Sequence, residues 1–137
     1  MRRSLARLAG AVYVLAWFVP VLKDGSTLSD GVLPGWEALR AAFSPIWPGD
    51  FGGTQLQGAL CVGTGLTNLV FLVAFTRLVR REAPRTRLWS WSLFVAAALD
   101  TFWIFAEGAP PGLSVGYYLW LGSFVLLGVA AWRARAS

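Results

Sequence analysis

Asp100 stands in the stretch AALDTFWIFAEGAPPG among residues that are nearly all apolar, and Glu107 follows it within the same stretch. A carboxyl group in such surroundings can bind a proton, a cation or a basic headgroup, or it can serve to fix the rotation of a helix. Ser92, Ala96, Trp103 and Glu107 recur with Asp100 at helical spacing and make one small, polar stripe. Tyr117 and Tyr118 open the next apolar block, and Trp36, Arg40 and Lys23 lie in the longest loop. The candidate binding residues are therefore Asp100, Glu107, Trp103, Tyr117, Tyr118, Arg40 and Trp36. Two roles compete for Asp100: a binding acid in an outward-facing pocket, or a structural acid held by Tyr117, Tyr118, the Trp103 N–H or one basic residue.

Catalysis is harder to assemble from these residue types. The chain has no histidine and a single cysteine, Cys61, which removes the usual haem ligand and most zinc and di-iron ligand sets. Cys61 and Ser123 have no recognisable activating partner in the sequence. The Gly63-x-Gly65 pair lies inside an apolar block with no strand before it, so it is no phosphate loop. The expectation is a protein without enzymatic activity, metal or cofactor.

The elements that would position Asp100 follow from composition. Of the 137 residues, 56% are hydrophobic and 14% charged, against roughly 25% charged in soluble domains. The apolar residues fall into long blocks. Residues 8–22 and 51–76 carry no charge, residues 88–106 carry Asp100 alone, and residues 108–132 carry none. A membrane span needs roughly 20 apolar residues, and a helix apolar all round lies in protein or lipid. The expected fold is all-α: one domain over residues 1–137, a four-helix up-down-up-down membrane bundle with spans at about 4–22, 56–76, 88–106 and 112–132.

The basic residues orient that bundle. Arg2, Arg3 and Arg7 precede the first block, Arg77, Arg80, Arg81, Arg85 and Arg87 surround the second connection, and Arg133 and Arg135 follow the last block. Positive residues in short loops stay cytoplasmic, so both termini are expected inside a bacterial inner membrane. The opposite side has Lys23 and Arg40 against Asp24, Asp30, Glu37 and Asp50. The net charge of +5 then reflects topology and anionic headgroups; nucleic acid is not an expected partner. MRRSLAR resembles the basic start of a signal peptide, but no small-x-small cleavage site follows, so the first span is expected to stay uncleaved.

The long outer loop, residues 23–54, contains a short amphipathic helix signal, with Pro34 to start it and Pro45 to stop it. Trp36, Leu39 and Phe43 share one face, and Glu37 and Arg40 another, as in a helix lying at the membrane interface. Small residues recur at spacing four: Ala59, Gly63 and Thr67, then Ser92, Ala96 and Asp100, and Gly112 with Gly116. Such stripes let helices approach closely in lipid, within one chain or in a homodimer.

LPGWEALR in the outer loop and GYYLWLGSFVLL in the last block resemble segments of a group of small bacterial four-span membrane proteins. That resemblance implies the four-span architecture and carries no activity with it. The long first outer loop is also similar in topology to that of claudin-like proteins, without their cysteine pair. The expected function is non-enzymatic binding of a partner subunit or a small or lipidic ligand through the outer loop and an acidic intramembrane pocket. The alternative is a minimal oligomeric transporter or channel with Asp100 as its proton or cation site.

Overall fold

The computed structural model describes residues 2–23, 32–46, 54–80, 86–102, 104 and 113–134. Helix α1 runs over Arg2–Phe18. It stops there because Pro20 disfavours a helical conformation at Val19 and has no N–H to offer the preceding turn. The chain instead enters strand β1, Pro20–Lys23, which pairs antiparallel with β2, Val32–Pro34, with Leu22 opposite Leu33 and Lys23 opposite Val32. This pairing corrects the expected first span: residues 20–22 extend it as strand, not helix. The two strands are a small addition to a fold that is otherwise all-α.

Helix α2, Gly35–Ala42, begins directly after Pro34 and is followed by a 3-10 turn, Ser44–Ile46. Its start lies hard against the end of α1, since a Cβ on Gly35 would sit 2.6 Å from the Ala16 carbonyl oxygen. Helix α3, Gln55–Arg80, is capped reciprocally. The Gln57 N–H donates to Thr54 Oγ1 at 3.3 Å and the Thr54 N–H donates to Gln57 Oε1 at 2.8 Å, which satisfies two donors that a helix start leaves open.

Helix α4, Thr86–Asp100, ends six residues short of the expected limit at residue 106. The Thr101 hydroxyl donates to the Ala98 carbonyl at 2.5 Å, and the Ile104 N–H turns back to the Thr101 carbonyl at 3.0 Å, a tighter step than the α-helix uses. Phe102 and Ile104 are again helical. Asp100 is therefore the last residue of its helix, not a residue two turns inside it. Helix α5, Val115–Arg133, starts at Ser114, whose N–H donates to the Val21 carbonyl at 2.8 Å and ties the helix start to β1.

Successive helices run antiparallel. Tyr13 of α1 meets Phe71 of α3 while Gly10 meets Phe75; Thr67 of α3 meets Asp100 of α4 while Arg77 meets Trp89; Asp100 meets Tyr117 of α5 while Ser90 meets Gly128. The seam between α1 and α5 is the widest, followed by α4 with α5 and then α3 with α4, while α1 touches α3 more sparsely. Alanines 6, 9, 96, 97 and 130 join Tyr13, Phe71, Leu93, Phe124 and Leu127 in the core. Small residues on α1, α4 and α5 let the axes come together around the aromatic side chains of α1, α3 and α5.

Helices α3 and α5 are long and apolar enough to cross a membrane; α1 and α4, with 17 and 15 residues, are shorter. At about 1.5 Å per residue, α3 extends about 39 Å.

Candidate functional site

Helix α3 carries two polar residues in succession, Thr67 and Asn68, both buried. Adjacent positions on a helix point about a third of a turn apart, so the two side chains address different neighbours. Asn68 takes α1 and α5. Its Oδ1 accepts from the Tyr13 hydroxyl at 2.8 Å and from Trp120 Nε1 at 2.9 Å, and its Nδ2 donates to the Gly65 carbonyl at 3.1 Å. One amide thereby joins three helices. Around it, Tyr13 stacks on Phe71 at 4.1 Å and Phe124 lies edge-on to Trp120 at 5.4 Å.

Thr67 takes α4. Its Oγ1 lies 3.2 Å and 3.1 Å from the two carboxyl oxygens of Asp100, and 2.5 Å from the Thr64 carbonyl oxygen. Asp100 itself is 0% exposed. Its main-chain carbonyl, left open because Asp100 ends α4, accepts the Tyr117 hydroxyl of α5. Tyr117 is thus the cap of α4, and its ring lies edge-on to Tyr118 and tilted against Trp120.

The candidate residues divide accordingly. Asp100 and Tyr117 come together, through the main chain of Asp100 rather than its carboxyl. Tyr118 touches Tyr117 but is itself exposed. Arg40 and Trp36 are exposed on α2, and among the described residues no ion pair joins Arg40 to Asp100. Trp103 and Glu107 lie outside the described residues, as does the side chain of Lys23. Every buried side-chain nitrogen and oxygen among the described residues has a hydrogen-bond partner.

Thr67, Tyr13 and Trp120 were not among the sequence candidates. Thr67 could have been found from its stripe: Ala59, Gly63 and Thr67 on α3 and Ser92, Ala96 and Asp100 on α4 share a period, and antiparallel packing sets the polar ends side by side. Tyr13 and Trp120 gave no such signal.

The long helices carry large apolar side chains on the outside as well as in the core. Leu8, Val14, Leu15 and Phe18 on α1, Leu66, Leu69 and Leu72 on α3, Leu88 and Val95 on α4, and Val115 and Val125 on α5 are exposed, while Thr64, Thr67, Asn68, Ser90, Asp100 and Ser123 are buried. At the end shared by the α1 N-terminus, the α3 C-terminus and the α4 N-terminus, the Arg77 guanidinium sits 5.9 Å over the Trp89 ring and Trp91 meets Trp132 edge-on. At the other end α2 covers the tips of α1 and α3, with the Phe43 ring seated over Gly65 and Trp36 and Ile46 exposed. No protein family, curated protein or solved structure matches the chain.

Proposed function

We propose that the chain is a non-enzymatic four-span protein of the bacterial inner membrane. Both termini are cytoplasmic, and a partner subunit docks on the outer cap formed by β1, β2 and α2. The observation that carries the reading is the inverted surface: all four long helices expose large apolar side chains and turn hydroxyl, amide and carboxyl groups inward. In water that arrangement exposes apolar area and buries polar groups, both at a cost. In a bilayer it is the favoured one, since lipid takes the apolar faces and the polar groups pair across the bundle. The two shorter helices fit the same reading, because a chain that breaks at membrane depth is tolerated where it is buried in protein.

Orientation follows from Arg7, Arg77, Arg80, Arg87 and Arg133, all exposed near the α1 N-terminus, the α3 C-terminus, the α4 N-terminus or the α5 C-terminus. Docking on the cap is supported by its construction. It is held tightly to the bundle at Gly35 while Trp36, Arg40 and Ile46 remain exposed, and aromatic and arginine side chains are those enriched at protein interfaces.

Two measurements test this. In a Cys61→Ala background, Asp30→Cys should react in intact cells with a thiol reagent that cannot cross the membrane, and Arg81→Cys should not. The reverse pattern overturns the orientation. Gentle extraction of native membranes should then give a particle heavier than the 14.9 kDa chain, and Trp36→Ala with Arg40→Gln should release it. A strict monomer sinks the docking reading. A ring of identical copies favours the second reading, an oligomeric transporter or channel, for which the acid buried in the helix core speaks.

A further inference from the structure

We propose that Asp100 is a proton-binding site: its carboxyl occupies the helix core as the neutral acid and donates its hydrogen to Thr67 Oγ1, whose own hydrogen goes to the Thr64 carbonyl. The inference deepens the reading of Asp100 as an intramembrane acid and rests on that reading for its surroundings, but the count of hydrogens that carries it does not.

Thr67 has one hydroxyl hydrogen and three oxygens within reach. The Thr64 carbonyl is the nearest at 2.5 Å, and the carboxyl oxygens follow at 3.1 Å and 3.2 Å. Two oxygens as close as 2.5 Å require a hydrogen between them, and a carbonyl has none to give. The Thr67 hydrogen is therefore spent on Thr64. If Asp100 were ionised, its oxygens would face a hydroxyl oxygen with no hydrogen between them. With the acid protonated, the same contact becomes an O–H donated from Asp100 to Thr67.

The other hydroxyls nearby have main-chain partners. The Tyr117 hydroxyl, from α5, donates to the main-chain carbonyl of Asp100 and leaves the carboxyl aside. The Thr101 hydroxyl donates to the Ala98 carbonyl at 2.5 Å. A carboxylate is the stronger acceptor by far, since bonds to ionised groups are about twice as strong as neutral ones. A Tyr117 hydroxyl that takes the main-chain carbonyl instead fits a carboxyl without charge. From α5 the titratable group against Asp100 is Tyr117, from α3 the neutral hydroxyl of Thr67 meets it, and no basic side chain pairs with it among the described residues. A carboxylate so placed would be an isolated buried ion, which neutralises rather than persist.

The consequence is a hydrogen-bonded chain of fixed direction, Asp100 to Thr67 to Thr64, that ties the end of α4 to α3 while the proton stays bound. Loss of the proton would turn the Asp100–Thr67 contact from attraction to repulsion.

The test is infrared spectroscopy of the full chain in lipid nanodiscs at neutral pH, with aspartate carboxyls carrying carbon-13. A label-sensitive protonated-carboxyl band is expected; it should vanish in Asp100→Asn and shift to the position of a non-donating acid in Thr67→Val. The folded protein showing carboxylate bands alone overturns the proposal, as does a band that survives Asp100→Asn. A band unmoved in Thr67→Val overturns Thr67 as its acceptor, and this variant reads the site even if Asp100→Asn fails to fold. Release of the chain from membranes by alkaline carbonate would instead refute the membrane reading, and leaves the band free to appear.

Discussion

Asn68 and Asp100 are both polar groups sealed in the helix core, yet the bundle uses them differently. Asn68 is a hub: one side chain holds α1 through Tyr13 and α5 through Trp120. Asp100 is a terminus: its carboxyl meets one hydroxyl of α3, and the rest of its anchoring goes through its main-chain carbonyl. A neutral amide can carry donors and acceptors at once and be satisfied from several sides. An acid with no counter-charge needs a proton before it can sit in the same core. Removal of Asn68 should therefore cost structure, and neutral replacement of Asp100 should cost little.

The largest expected effect is that of Asn68→Leu. It strands the Tyr13 hydroxyl and the Trp120 N–H, and each buried donor left unsatisfied costs about 1–3 kcal/mol. Reversible unfolding in mixed detergent micelles should show the loss, and a change below 1 kcal/mol would mean that both donors find other partners. Tyr13→Phe should do less. It keeps the stack on Phe71 and leaves Trp120 bonded to Asn68, so the loss should be near the roughly 0.6 kcal/mol average of interhelical hydrogen bonds in a membrane protein. A loss as large as that of Asn68→Leu would show that Tyr13 alone holds the hub. The smallest effect belongs to Asp100→Asn, whose amide can donate to Thr67 as the neutral acid does. Its stability should change by less than about 0.5 kcal/mol, the low end for one hydrogen bond. Strong destabilisation in the same assay would mean that the charge, and not the shape, holds α4 to α3.

How much of this was legible beforehand varies by residue. The inward face of Asp100 was legible because a charge at membrane depth has a known cost and its stripe of Ser92 and Ala96 is small. The helical class and the two long helices were legible from uncharged blocks whose length matches a bilayer. The helix ends were less so. Pro20 was present as a stop signal, but the apolar run around it made residues 20–22 look like continuous span, and the pairing of VLK with VLP joins segments that are not adjacent in sequence. The break after Asp100, where the Ile104 N–H turns back to the Thr101 carbonyl, carries no proline or glycine to announce it. Tyr13 and Trp120 could not be assigned to Asn68 because that needs the rotation of three helices at once. Trp103 and Glu107, named from the stripe, lie outside the described residues, and the outer half of that stripe is an expectation still.

The widest seam of the bundle joins its first helix to its last. A Cβ on Gly116 would lie 2.5 Å from the Pro20 carbonyl oxygen, so the start of α5 fits the chain where it leaves α1 for β1 with no room for any side chain. That proximity sets a schedule for biogenesis. Helix α1 leaves the ribosome before its principal neighbour, α5, which follows after roughly 5 to 20 s of further elongation at about 5–20 residues per second. Until then the flank that α1 turns to α5, and the carbonyls of Val19 and Pro20 beside Gly116, lack that partner. A nascent chain arrested before residue 115 would lack the nineteen-residue helix that makes the widest seam with α1.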